Sequence, residues 1–272
     1  MLGQRVLTAL ALLAVLVPAI VWAPPWVWGL VSLALLVAAG HEWGRLLGSA
    51  RGGWALGALL AVSGIVYVGW RDPAVAPPAA ATVLAGASLL FWLTLGPASL
   101  ARVRRLGPGW AGGALVLAAC WVSLYELRLH GAAMLVSAMA VVWLADIGAY
   151  FAGRAFGRHK LAPRVSPGKT WEGVAGGVVL VLVAAAVVPV WLQGQVFSGW
   201  LALHGGWTVA VAVLTVLAGL SVVGDLYESL LKRLAGVKDS GRLLPGHGGV
   251  LDRIDALIPT MPGCLLLLQV LR

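Results

Sequence analysis

Charge is scarce in this chain. Of its 272 residues only 11% are Asp, Glu, Lys or Arg, whereas a soluble domain carries roughly 25%. So few charges cannot clothe a globular surface of this size, and an ordinary soluble enzyme is excluded. Cysteine is nearly missing as well. Cys120 and Cys264 each stand alone in an apolar run, without the spacing of a zinc site or a disulfide framework. No internal repeat and no separate soluble domain is visible. Acids are rarer than bases, 10 against 19, so any place where acids gather calls for a reason.

Apolar sequence is what the chain has in abundance, at 61% hydrophobic residues and a mean hydropathy of +0.95. Several runs approach the roughly 20 residues that a helix needs to cross a bilayer core of about 30 Å. The expected fold is therefore all-α, a polytopic integral membrane protein of about nine transmembrane helices. The spans read at roughly 5–23, 26–40, 54–70, 79–99, 110–127, 132–153, 174–193, 207–224 and 256–271. The first has the basic start and apolar run of a secretory signal. Another apolar run begins at Trp26 and more follow, so it is read as a retained helix. Residues 1–131 are read as scaffold and 132–272 as the catalytic region.

The basic residues give an orientation. Arg5, then Arg45 and Arg51, then Arg102, Arg104 and Arg105 fall in alternate connections. Arg154, Arg158, Lys160, Arg164 and Lys169 continue the series, and Lys232, Arg233, Lys238, Arg242 and Arg253 end it. These are 16 of the 19 basic residues; Arg71, Arg128 and Arg272 remain for the opposite side. Positive charge stays on the cytoplasmic side, so the N-terminus is expected inside, the C-terminus outside, and the protein in the inner, cytoplasmic membrane. The same charge also suits anionic lipid or nucleotide. Two of the expected cytoplasmic loops, 153–173 and 225–255, are long and carry most of the candidate chemistry.

"WLADIGAYFAG" places Asp146 inside an apolar helix. A carboxylate there is costly unless partnered, and such residues are usually functional. It is read either as half of a structural ion pair or, by preference, as a cation ligand facing a polar cavity. "GRAFGRHKLAPRVSPGKTWEG" follows. Its Gly168-Lys169-Thr170 step is not read as a P-loop, because Pro163 stands where that pattern needs glycine and the upstream segment reads as a membrane helix. Ser166 or Thr170 suits the cap of the next helix, Lys169 suits a phosphate, and Trp171 suits an interfacial anchor.

The third stretch is "GDLYESLLKRLAGVKDSGRLLPGHGGVLDRIDAL". Helical spacing puts Asp225, Ser229 and Lys232 on one face, and the helix is expected to end at Ala235-Gly236. Lys238, Asp239 and Arg242 occupy the loop. Gly246, Gly248 and Gly249 let backbone amides approach an anion, and a helix beginning near Val250 favours one at its start. Asp252 and Asp255 share a face of that helix; alternatively they offset its dipole and pair with Arg253. Oxygen-only ligands suit Mg²⁺ better than zinc. Carboxylates, glycines and many bases together describe a site for Mg²⁺ and polyphosphate, suited to phosphoryl or nucleotidyl transfer.

The segment from Ser229 to Asp255 resembles the signature of the phosphatidate cytidylyltransferases, or CDP-diacylglycerol synthases. The matching residues are Ser229-x-x-Lys232-Arg233, Lys238-Asp239-x-Gly241, Leu244-Pro245-x-His247-Gly248-Gly249 and Asp252-Arg253-x-Asp255. "DIGAYFAGRAFGRHKLAPRVSPGKTWEG" is similar to the family's second block, with Gly168 where many members have lysine. The resemblance implies that CTP and phosphatidic acid give CDP-diacylglycerol and pyrophosphate, with Mg²⁺ as cofactor and room for a second cation. It implies metal ligands at Asp225, Asp252 and Asp255, with Asp146 as a fourth. Lys232 and His247 join these aspartates as the catalytic set, although a structural role for His247 stays open. Lys169, Ser166, Thr170, Arg233, Lys238, Asp239, Arg242, Gly248, Gly249 and Arg253 are the implied substrate contacts. Partners are CTP, phosphatidic acid and the lipid bilayer; a homodimer is compatible and nucleic acid is not expected. Two alternatives stay open: a CTP-dependent lipid kinase, and a cation-coupled transporter with Asp146 as its ion site.

Overall fold

The computed structural model describes residues 2–107 and 109–271; Arg272, expected on the far side, lies outside the described residues. Helices α1 (Leu2–Val21), α2 (Pro25–Leu46), α3 (Ala50–Trp70), α4 (Ala79–Arg102), α5 (Gly109–Leu129) and α6 (Ala132–Phe156) come first. A hairpin of β1 (Lys160–Ala162) and β2 (Ser166–Thr170) leads into α7 (Trp171–Val187) and the short α8 (Pro189–Leu192). The chain ends with α9 (Phe197–Leu234), α10 (Leu251–Ile254) and α11 (Leu257–Val270).

Every apolar segment read from the sequence falls on helix. Among the described residues seven helices are long and apolar enough to cross a membrane, and 6–21 and 257–270 are shorter apolar helices. The protein is a polytopic, almost wholly helical membrane protein. Trp54, Leu59, Val62, Ile65 and Val66 of α3 are exposed on the outside of the bundle, a greasy face suited to lipid. Inside, small residues bring backbones together, the usual device where no hydrophobic effect separates helix from lipid. A Cβ built on Gly44 of α2 would fall 2.2 Å from the Gly53 Cα of α3.

The expected loops are more ordered than their polarity suggested. In 153–173, α6 runs on to Phe156 and the antiparallel hairpin follows, pairing Lys160 with Thr170 and Ala162 with Ser166. Its anchor is apolar: Val165 packs on Leu226 and Leu230 of α9, beside Val103 at the end of α4. In 225–255 the first ten positions are still helix, because α9 is two helices meeting at a kink at Gly206 (φ 77°, ψ 163°), and the second runs on to Leu234. It stops where the glycine signal placed its end, with Gly236 at φ 69°. The helix expected from Val250 divides into α10 and α11. Pro259 has no N–H to give the Asp255 carbonyl, so one rung of the ladder is missing where α10 and α11 separate.

At the opposite end of the bundle, Arg71 and Glu126 form a buried ion pair. Arg71 Nε lies 2.7 Å from Glu126 Oε1 and its Nη2 3.0 Å from Oε2. The Tyr67 hydroxyl donates to Oε1 at 2.6 Å.

Candidate active site

The site begins with two helices whose backbones touch. A Cβ on Gly148 of α6 would lie 2.6 Å from the Gly176 carbonyl of α7, and one on Gly177 2.5 Å from the Ala145 carbonyl. This contact fixes Asp146, next to Ala145, against the start of α7. Thr170 ends the hairpin and caps α7, its Oγ1 accepting from the Gly173 N–H at 3.2 Å. The cap directs Lys169 across to α9, where its Nζ meets Asp225 Oδ2 at 2.7 Å. Asp146, Tyr150, Arg154, Lys169, Thr170 and Asp225 line a polar cavity of about 450 Å³.

Asp225 has a second neighbour. A Cβ on Gly224 would fall 2.4 Å from the Asp255 carbonyl and 2.7 Å from the Pro259 ring, so α9 touches the α10–α11 junction there. Asp225 and Asp255 flank the contact. Burial, then the negative charge of Asp225, push the Asp255 carboxyl above the usual carboxylate range, although the Ala256 N–H donates to it. Like charges held together in this way are stabilised by a cation.

Asp252 does something different. Its Oδ1 pairs with Lys232 Nζ at 2.7 Å. Its Oδ2 accepts from the Gly249 N–H at 2.8 Å and from both N–H and hydroxyl of Ser240 at 3.0 Å. Burial alone would raise this carboxyl, but the hydrogen bonds from Lys232 and the Gly249 N–H outweigh it and hold it at about 2. Both oxygens are engaged in tying the 236–250 loop to α9. Lys232 also pairs with the buried Glu228, one turn earlier.

A residue that the sequence reading assigned to scaffold completes the loop. Glu42 of α2, 3% exposed, accepts from the Ser240 hydroxyl at 3.0 Å, the Val250 N–H at 3.1 Å and the Leu251 N–H at 2.8 Å. The signal was an acid within "AAGHEWG", two residues past the apolar span read at 26–40; α2 runs on to Leu46 and takes Glu42 in. Glu228 was passed over too, within a stretch already quoted. Glu172 is a third, accepting from His159 Nδ1 at 2.6 Å and from the Arg158 N–H at 3.1 Å to hold the hairpin's entry.

The glycines serve packing before anything else. Gly246 and Gly248 sit at φ 77° and 85° in a turn closed by Leu244 N–H to the Gly248 carbonyl at 2.9 Å. A Cβ on Gly249 would strike Ser240 Oγ at 2.2 Å and Glu42 Oε2 at 2.5 Å. His247 turns a buried Nδ1 inward with no hydrogen-bond partner. Lys238, Asp239, Arg242 and Arg253 stand exposed around the loop. Arg233 donates from Nε to the Val165 carbonyl at 3.4 Å, and Ser166 lies opposite Ala162 in the hairpin.

Eight of the sequence-predicted residues thus form two adjoining groups along one face of α9, and the others stand on the hairpin, on α9 and around the 236–250 loop. Asp146, Lys169, Thr170, Asp225 and Asp255 make one; Lys232, Asp252 and Gly249 make the other, with Ser240 and Glu42. The four aspartates do not share one cage. Among the described residues no set of three or more His, Cys, Asp or Glu side chains is gathered closely enough to hold a metal by itself.

Residues 3–271 match the cytidylyltransferase family. Phosphatidate cytidylyltransferase of Pseudomonas aeruginosa is 39% identical over 280 residues, covering 96% of this chain and 95% of that protein. The Brucella suis protein of the same name is 39% identical over 94% of this chain and 89% of its own. That of Haemophilus influenzae reaches 50% identity over 133 residues, 49% of this chain and 44% of its own.

Proposed function

The chain belongs to the cytidylyltransferase family, and from that premise we propose that it transfers CMP from CTP to phosphatidic acid. The products are CDP-diacylglycerol and pyrophosphate, a step of phospholipid synthesis. The observation that carries this reading is the polar cavity where Lys169 meets Asp225 beside Asp255 and opposite Asp146, set into a membrane bundle.

The lipid phosphate is a monoester with a second pKa near 6, so it is largely ionised at pH 7 and needs no general base. One of its oxygens attacks the α-phosphorus of CTP. The bond from α-phosphorus to the bridging oxygen breaks, and pyrophosphate leaves with the electron pair. The obstacle is repulsion between two anions, which fixed cations relieve without reorganising during the reaction. Lys169, held by Asp225, and Lys232, held by Asp252 and Glu228, are such cations. Lys238 and Arg242 stand exposed on the 236–250 loop that also holds His247, and Arg253 is exposed just after it.

The oxygen-only donors fit Mg²⁺, with Asp225 and Asp255 as its protein ligands and Asp146 across the cavity. With no complete protein cage among the described residues, water and phosphate oxygens would complete its coordination, as Mg²⁺ prefers. When bound it supplies charge neutralisation and alignment of the phosphates. Lys232 already neutralises Asp252, so a second cation is not required there. Contacts of the hairpin with Val103 and of the 236–250 loop with Glu42 bring basic connections to one end of the bundle. This supports a site facing the cytoplasm, in an inner membrane.

The test is purified protein with labelled CTP, phosphatidic acid and Mg²⁺. Labelled lipid and released pyrophosphate are expected, and CDP in place of pyrophosphate would turn the reading to a lipid kinase. Asp225→Asn lowers turnover roughly 100-fold or more, the scale of losing a fixed electrostatic group. Chelation abolishes activity and Mg²⁺ restores it.

A further inference from the structure

Beside the polar cavity lies an apolar one of about 660 Å³, walled by the end of α4, the hairpin, the start of α7 and one face of α9. Leu100, Leu161, Val165, Val223 and Leu226 line it, and Arg164 is the charged residue at its wall. Val174 and Val222 line both cavities, so the two adjoin. Gly219 lines it with open space beside it, since a Cβ built there meets nothing within 4 Å. From Asp225 back to Gly219 α9 spans about 9 Å at 1.5 Å per residue, from charged groups to hydrocarbon.

A nucleotide alone would leave the apolar chamber wet, and a simple hydrocarbon would leave Arg154, which has no acidic partner among the described residues, without an anion. A molecule anionic at one end and aliphatic at the other fills both. We infer that the chamber between the hairpin and α4/α9 receives one acyl chain of the lipid acceptor, with the lipid's phosphate in the adjoining polar cavity. The inference rests on the reaction assigned above and deepens it, since it names the groove that orients the acceptor. Hydrocarbon gains little by leaving bilayer for an apolar wall; the gain is alignment, because a pinned chain fixes where the phosphate stands.

Two measurements test this. Gly219→Phe fills the chamber. It lowers kcat/KM for dioleoyl phosphatidate about tenfold relative to diacetyl phosphatidate, whose two-carbon tails stop short of Gly219, a loss on the scale of acceptor misalignment. The half-saturating CTP concentration stays where it was. Phosphatidate bearing a diazirine at the end of one chain, photolysed with the unsubstituted protein, labels residues 97–103 or 219–226. Equal losses for both chain lengths, or label on α1 instead, would overturn the inference. A protein making no liponucleotide from either lipid overturns the assigned reaction, and the photolabel still decides the groove.

Discussion

Glu42 accepts hydrogen bonds from Ser240, Val250 and Leu251, residues 198 to 209 positions further along the chain. Glu42→Gln keeps the shape but turns a donor toward those donors. A buried amide left unsatisfied costs about 1–3 kcal/mol, so the variant melts lower in detergent and loses activity together with loop order. Asp252 predicts a pH dependence. Its carboxyl is held at about 2 against an ordinary 3.8, so it contributes stability at pH above the ordinary value. That contribution is lost as pH falls through about 2. Thermal melts of the wild type and Asp252→Asn should therefore differ most near pH 6 and converge as pH falls below 4. Equal gaps at both ends would remove Asp252 as the loop's tether. Single positions were legible where their oddity was local: Asp146 stands out as an acid in grease. Glu42 stands two residues past the span read at 26–40, and its partners lie two hundred residues away, a distance across which sequence spacing says nothing.

Helices were legible because hydrocarbon burial is written in composition, one run per span. The hairpin was not, since strands of three and five residues containing Pro167 and Gly168 show no alternation to read. Its order comes from Val165 docking on a distant helix. The end of α9 was legible as well, since helical spacing carries on past Val223 and Gly236 marks the stop; its start at Phe197, ahead of the span read at 207–224, was not. The α6–α7 contact is where an element-scale change would tell most. Gly148→Leu must push the Gly176 carbonyl aside, and overpacking of this kind costs about 1–3 kcal/mol. The expected result is a shorter half-life in detergent and a larger loss of turnover than of CTP binding, because Asp146 is displaced from Lys169. Gly86, whose built Cβ meets nothing, provides the control: Gly86→Leu should leave both unchanged.

For the whole molecule, the clustering of basic connections at one end predicts sidedness. The native Cys120 and Cys264 are 1% and 0% exposed, so a cysteine introduced by Lys238→Cys or Val75→Cys reports alone. An impermeant maleimide applied to intact cells should label position 75 and spare position 238 until the membrane is opened; the reverse would invert the topology. The grip of α2 on the 236–250 loop has a further consequence during synthesis. A ribosome delivers Glu42 to the membrane long before Val250 and Leu251 exist, so a half-made chain holds an acid still awaiting the amides that will satisfy it. The reacting groups are assembled only when the late segment arrives, and a partly translated enzyme has no means of consuming nucleotide.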